Sequence, residues 1–247
     1  MKVFDQSLFV HPQDSTLMTK IIGSPAVRRV MNKAFAEGLD QMSGFLYGLS
    51  GVQLPPEHPA CQALKEACVC FGVSAVPPVY TVRSDDPAVQ LGGCSHPVVL
   101  TPHRLLASGC EDMLRGRMAA AAAAIAAGHH RIAFLMRLLE SFSGMPDFPG
   151  IDAAVRDALL EWMRFRQYTT DRAFCLFTGS IELARKNVLF GQVPHDMPEN
   201  SAFDGCAETC RTQIHDCGRT AFAQSEAWLP LRCQELEKFH EETGGRT

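Results

Sequence analysis

With 247 residues, 46% of them hydrophobic and 20% charged, the chain is long enough to bury one substantial core, or one core with an appended helical part. A formal net charge of −4 and the lack of a lysine or arginine block argue against nucleic acid and anionic membrane surfaces as partners. The charge-free stretch around the alanine run, Met118 to His130, falls short of the roughly 20 apolar residues that a spanning helix needs, so no transmembrane segment is expected.

The opening residues, MKVFDQSLFVHPQD, place Asp5 soon after Lys2 and contain no long apolar run, which does not match a signal peptide. Ser24-Pro25 reads as a helix start, serine as cap and proline at the first helical position. Val27, Val30, Met31, Ala34, Phe35, Leu39 and Met42 then recur at helical spacing. Cys61 to Cys70 reads as a second helix. Val79 to Arg83 and Val98 to Thr101 read as short strands, each preceded by proline and separated by Ser84-Asp85-Asp86-Pro87 and Gly92-Gly93.

The alanine-rich helix is expected to begin near Glu111, whose charge suits a helix N-terminus, and to run to Phe142. Ser143 to Gly150 is a break. A further helix starts at Asp152, carries Val155, Leu159, Leu160, Trp162, Met163 and Tyr168, and passes Asp171-Arg172 into Ala173 to Phe177. Ser180 caps a short helix through Phe190, residues 191–201 form a loop, and Ala221 to Glu242 is helical with a disturbance at Pro230. The fold class is α+β, mainly α, with a small antiparallel or mixed sheet.

Ten cysteines are scattered among apolar segments, and Cys61, Cys68, Cys70, Cys175 and Cys233 read as small core residues in a reducing cytoplasm. Cys206, Cys210, His215 and Cys217 form a C-x3-C-x4-H-x-C cluster. Four possible ligands within twelve positions can hold a structural zinc, although the final spacing is short; the alternative is thiols that merely pack or remain exposed.

Three segments together resemble the zinc metallopeptidases of the HtpX-like and CAAX-prenyl-protease-like family. PPVYTVRSDDPAVQLGGCSHPVVLTPHRLL (Pro77 to Leu106) is similar to the strand, loop and strand before that family's active-site helix. LRGRMAAAAAAIAAGHH resembles the helix LRAVLAHELGHILSGH, with Leu114, Arg115, Gly128 and His129 in step. ALLEWMRFRQYTTDRAFCLF (Ala158 to Phe177) resembles the second-ligand helix, EWxRxxExxADRAxLL, through Glu161, Trp162, Arg164, Asp171, Arg172 and Ala173. The similarity covers roughly residues 60–190, and implies a single zincin-like domain flanked by a helical segment, 1–59, and a cysteine-containing loop and helix, 191–247.

Carried over position by position, the resemblance implies that the chemistry is gone. The first histidine of HExxH falls on Ala120, the general-base glutamate on Ala121, the second histidine on Ala124 and the glutamate ligand on Gln167. Histidines at i and i+4 share a helix face and supply imidazole lone pairs, while the glutamate takes the proton from metal-bound water; methyl groups do neither. Of the site, Asp171, expected to steer a ligand, remains, with Arg172 and His129 beside it. No cofactor is therefore expected at the family site. The alanine run by itself also reads as a tightly packed core helix. Arg117 and Gln167 are expected to fill the vacated space, with Asp171 accepting a hydrogen bond from Arg172 or His129; alternatively Arg117 reaches solvent and His129 lies on the helix surface.

Other constellations are thin. Cys94-Ser95-His96 pairs a nucleophile type with a base, but a glycine-rich connector explains it as well. His96, His103, His129 and His130 would make a relocated metal site only if loop and helix converge. Three readings follow: an inactive metallopeptidase homologue that binds a peptide or protein, for instance by strand addition along the edge of Val98 to Thr101; an active hydrolase with a relocated site; or a structural, oligomerising protein with a closed groove.

Overall fold

The computed structural model describes residues 3–42, 51–84, 88–107, 109–142, 150–189 and 229–244. Cys206, Cys210, His215 and Cys217 lie outside these residues, as do the whole of the expected 191–201 loop, all of the Ser143 to Gly150 break but Gly150, and the first part of the Ala221 to Glu242 helix.

Three helices open the chain: α1 (Gln6–Phe9), α2 (Pro12–Gly23) and α3 (Pro25–Ala36). Asp5 caps α1 by accepting from the Ser7 N–H at 2.8 Å, and the His11 ring nitrogen does the same for Gln13 at 3.2 Å. Pro25 starts α3 as expected, but the Ser24 side chain makes no capping hydrogen bond. α2 buries Asp14, Leu17, Met18 and Ile21, a helical i, i+3, i+4, i+7 face whose first member is an acid. α4 (Pro59–Cys70) follows, capped by His58 and buried through Ala60, Ala63, Leu64, Ala67 and Cys68.

The sheet has four strands: β1 (Gly51–Gln53), β2 (Val79–Val82), β3 (Gln90–Gly92) and β4 (Val98–Pro102). Their order is β1-β2-β4-β3, with β2 parallel to β4 and the two outer pairs antiparallel. Two of these strands were not anticipated. β4, whose edge was expected to be open to a peptide, is instead flanked on both sides and fully buried. The β3–β4 turn requires glycine at Gly93, where φ is +71° and a Cβ would lie 2.3 Å from the His96 carbonyl oxygen.

After α5 (His103–Ala107), the expected long helix is two: α6 (Glu111–Ala126) and α7 (His129–Phe142), bent by 82°. The reason is Gly128, whose φ of +82° ends α6 while the Ala127 and Gly128 N–H groups bond back to Ala123 and Ile125. Among the described residues no single helix is long and apolar enough to cross a membrane. α8 (Ala153–Thr178) starts at Asp152, whose carboxylate accepts from the Val155 N–H at 2.8 Å, and ends at Gly179 with φ +67°. Ser180 caps α9 (Ile181–Leu189) by accepting from Leu183 at 3.1 Å. α10 (Leu229–Glu242) closes the described chain.

Two apolar clusters form the core. One gathers α4, α6, the sheet and the C-terminal half of α8; the other gathers α2, α3, α7 and the N-terminal half of α8. At 26 residues, α8 is about 39 Å long and belongs to both. Of the cysteines described, Cys68, Cys70, Cys94 and Cys175 are buried, Cys61 and Cys233 are half-buried, and none is disulfide-bonded.

Candidate functional site

Two contacts set how α6 passes α8. Near the start of α6, Gly116 lies so close to Phe174 that an added Cβ would sit 2.3 Å from the ring. Just beyond its end, the His129 ring meets the Trp162 ring edge-on, centroids 5.4 Å apart. The helices therefore run antiparallel, and positions 120–124 lie level with positions 167–171. Ala121 and Ala124 are buried, while Ala120 and Gln167 are half-buried. This level carries methyls on one helix and a carboxamide and a carboxylate on the other.

The carboxylate is already engaged. Arg232 on α10 donates to Asp171 through Nε at 2.8 Å and Nη2 at 2.7 Å, a bidentate pair with Asp171 3% exposed. The expected partners, Arg172 and His129, are elsewhere. Arg172 reaches Glu235 at 3.6 Å and lies 5.1 Å over the Phe239 ring, both on α10. Glu235 also faces His11 at 3.7 Å, and that contact, with the charges of Lys238 and Arg172, holds its carboxyl below the usual value despite partial burial. Beside them, burial and the Glu235 charge push the Tyr168 phenol up to about 12. Arg117 neither fills the space by Gln167 nor reaches solvent: it is 7% exposed and donates from Nε to Asn187 Oδ1 on α9 at 2.8 Å. With no imidazole on α6 and both Asp171 oxygens satisfied, the residues at this level do not fit a catalytic zinc.

His129 belongs to a network that sequence reasoning missed. Asp14, wholly buried, accepts from His129 Nε2 at 2.7 Å, Trp162 Nε1 at 2.8 Å and Thr169 Oγ1 at 2.5 Å. Burial pushes the carboxyl up, but the bond and charge of His129 with the Thr169 and Trp162 bonds outweigh it, leaving the value below the ordinary one. An acid on the apolar face of a helix was the available signal.

Near the β3–β4 turn, Asp40 accepts from the N–H groups of Cys94 at 2.8 Å and Ser95 at 3.2 Å. Burial raises the Cys94 thiol to about 11 and lowers His130 to about 4, assisted in each case by neighbouring charge from Asp40 and Arg131 respectively. A thiol held protonated beside a weakly basic imidazole is the reverse of an activated nucleophile. His96 and His103 are exposed, away from buried His129, and among the described residues no group of three or more His, Cys, Asp or Glu side chains is placed to hold a metal. An open cleft of about 510 Å3, lined by Asp112, Arg115, Phe177, Glu182 and Lys186 among others, mixes both charge signs near the start of α6 and of α9.

The remaining feature is the β3 edge. The Val99 N–H bonds to the Pro78 carbonyl at 3.0 Å, so the main-chain groups of Val99 face β2 and those of Val98 and Leu100 face β3. Gln90 and Gly92 are therefore the residues that pair with β4, and the N–H and C=O of Leu91 point outward from the sheet, beside α6 and α7. No family model matches the chain, and no curated protein or solved structure matches it.

Proposed function

We propose that this chain is a metallopeptidase-like scaffold without a catalytic zinc centre, which acts by binding an extended peptide or protein segment along β3. The observation that carries this reading is the outward-facing main chain of Leu91 on an edge strand next to the alanine helix. An incoming strand pairs with those groups, its alternate side chains supplying specificity, and no metal takes part. The antiparallel register of α6 and α8 supports the zincin-like reading, because it brings Ala120, Ala121, Ala124, Gln167 and Asp171 to one level. No imidazole stands at that level and its one carboxylate, Asp171, is already paired with Arg232, which supports a non-catalytic role.

The structural, closed-groove reading has its own observation: α10 already covers Asp171. Peptide binding separates the two readings. A displayed library of extended peptides is selected on the protein, and selected peptides are titrated into Leu91→Pro and Leu91→Ala. Proline removes the outward N–H but not the ladder to β4, so binding lost in Leu91→Pro and retained in Leu91→Ala is the expected result. No peptide bound by the wild type leaves the closed scaffold.

Elemental analysis of protein purified without chelator or metal resin tests the metal question, alongside Cys206→Ser with Cys210→Ser. Stoichiometric zinc that persists in the double variant, with chelator-sensitive peptide cleavage, would refute the non-catalytic reading. Zinc lost in the variant assigns a structural site to Cys206, Cys210, His215 and Cys217.

A further inference from the structure

β3 is three residues long and is held to the sheet from one side, through the pairing of Gln90 and Gly92 with β4. A pairing this short does not by itself hold a strand in one position, so a second restraint is needed to present a fixed edge. That restraint lies just past the strand. The Asp40 carboxylate accepts from the Cys94 N–H at 2.8 Å through Oδ1 and from the Ser95 N–H at 3.2 Å through Oδ2, so one anion holds two successive main-chain donors. Asp40 reaches the turn because Gly38, with φ +69°, redirects the chain at the end of α3.

Cys94 is also tied to α7, where the His130 ring bonds its main chain and the Arg131 side chain its thiol. It packs in the cluster of α2, α3, α7 and the first half of α8, whereas Leu91 packs against the other cluster. The β3–β4 turn therefore carries the chain from one cluster to the other, with Gly93 alone between Gly92 and the clamped N–H groups. Gly93 lies hard against the His96 carbonyl, so a shift at Cys94 passes to Gly92 instead of being absorbed.

We infer that Asp40 is a positioning residue for the β3 edge: by clamping the β3–β4 turn it fixes the outward main chain of Leu91 where an extended peptide segment meets it. The inference rests on the strand-addition reading above and adds to it a residue fifty-four positions away from the turn. The clamp acts through pre-organisation. Without it an incoming strand has to order the turn as it binds, and that cost is subtracted from its affinity. Asparagine keeps one acceptor oxygen and alanine none, so the effect is graded from Asp40 through Asp40→Asn to Asp40→Ala.

The test uses the full chain and both variants, read by hydrogen exchange and by titration of a library-selected peptide that binds the wild type. The amides of Gln90 and Gly92 are expected to exchange about ten-fold faster in Asp40→Ala, with Asp40→Asn between. The amides of Leu54 and Val99, which bond to the Val79 and Pro78 carbonyls elsewhere in the sheet, are the reference and should not change. Peptide affinity is expected to fall about five- to ten-fold in Asp40→Ala and less in Asp40→Asn. Exchange at Gln90 and Gly92 that is unchanged, or that rises by the same factor as at Leu54 and Val99, would overturn the inference. A peptide bound equally well by all three chains defeats the inference alone, whereas no peptide bound by the wild type defeats the strand-addition reading and the inference with it. Global unfolding of both variants makes Asp40 part of the core and likewise overturns its positioning role.

Discussion

Removing the Asp14 carboxylate is the most demanding trial of how the two halves of the molecule are joined. Asp14 is 0% exposed, sits on α2, and receives donors from α7 through His129 and from α8 through Trp162 and Thr169. Asp14→Ala leaves three buried donors, on His129, Trp162 and Thr169, without their acceptor. Each orphaned donor costs about 1–3 kcal/mol before relaxation; because the three share one cavity the terms do not add, and about 4 kcal/mol is the expected total. Asp14→Asn keeps the volume and an acceptor for Trp162, so about 1–2 kcal/mol is expected. The assay is urea unfolding near neutral pH, followed by circular dichroism and by tryptophan fluorescence, with Asp14→Ala, His129→Ala and the double variant forming a cycle. The double variant should cost little more than Asp14→Ala alone. A loss below about 1 kcal/mol for Asp14→Ala, or additive single costs, would refute the network as the joint. The pH sign follows from the depressed carboxyl: its stabilisation is full above the unfolded value of about 3.9 and is lost as pH falls through the lower folded value, so Asp14→Asn should flatten the acid limb of stability.

Three further outcomes are expected. Gly116→Ala should destabilise by about 1–2 kcal/mol in the same assay despite alanine's better helix propensity, because the fully buried Phe174 ring cannot move aside; a gain in stability would show that the helices do not approach as closely as described. His130, held at about 4 in the folded chain against about 6.5 unfolded, takes up a proton on unfolding, so stability falls as pH drops from about 6.5 toward 4 and His130→Gln removes part of that slope; an unchanged slope refutes its burial as a neutral ring. Cys110 is exposed, whereas burial raises Cys68, Cys94 and Cys175 to about 11, so mass spectrometry after mild alkylation should find Cys110 modified and those three only after denaturation; early labelling of Cys94 would reopen it as a nucleophile.

Helices whose identity rests on local signals were legible in the chain. Asp152, Ser180, Pro25 and the apolar spacing of α8 act within a turn or two of themselves, and the structure starts those elements as expected, although α3 stops at Ala36, before Gly38 with φ +69° and short of Leu39 and Met42. The α6–α7 break runs against the single helix expected to Phe142: the surrounding alanines and leucines outweigh one glycine in the sequence, and only the positive φ that Gly128 takes in the fold ends α6. β1 and β3 are three residues each, too short for alternation to register, and they exist through pairing with β2 and β4.

By itself the sequence determined that Ala120, Ala121 and Ala124 carry no metal-ligand chemistry, because no arrangement gives a methyl group a lone pair. It also determined a mainly helical chain with a short-stranded sheet. Only the tertiary structure decided what the remaining charged groups do: Asp171 pairs with Arg232, sixty-one positions away, and His129 with Asp14, one hundred and fifteen positions away. Such pairings carry no local pattern. They are selected by desolvation, since a carboxylate or imidazole taken out of water must find whichever partner the packed helices bring within reach.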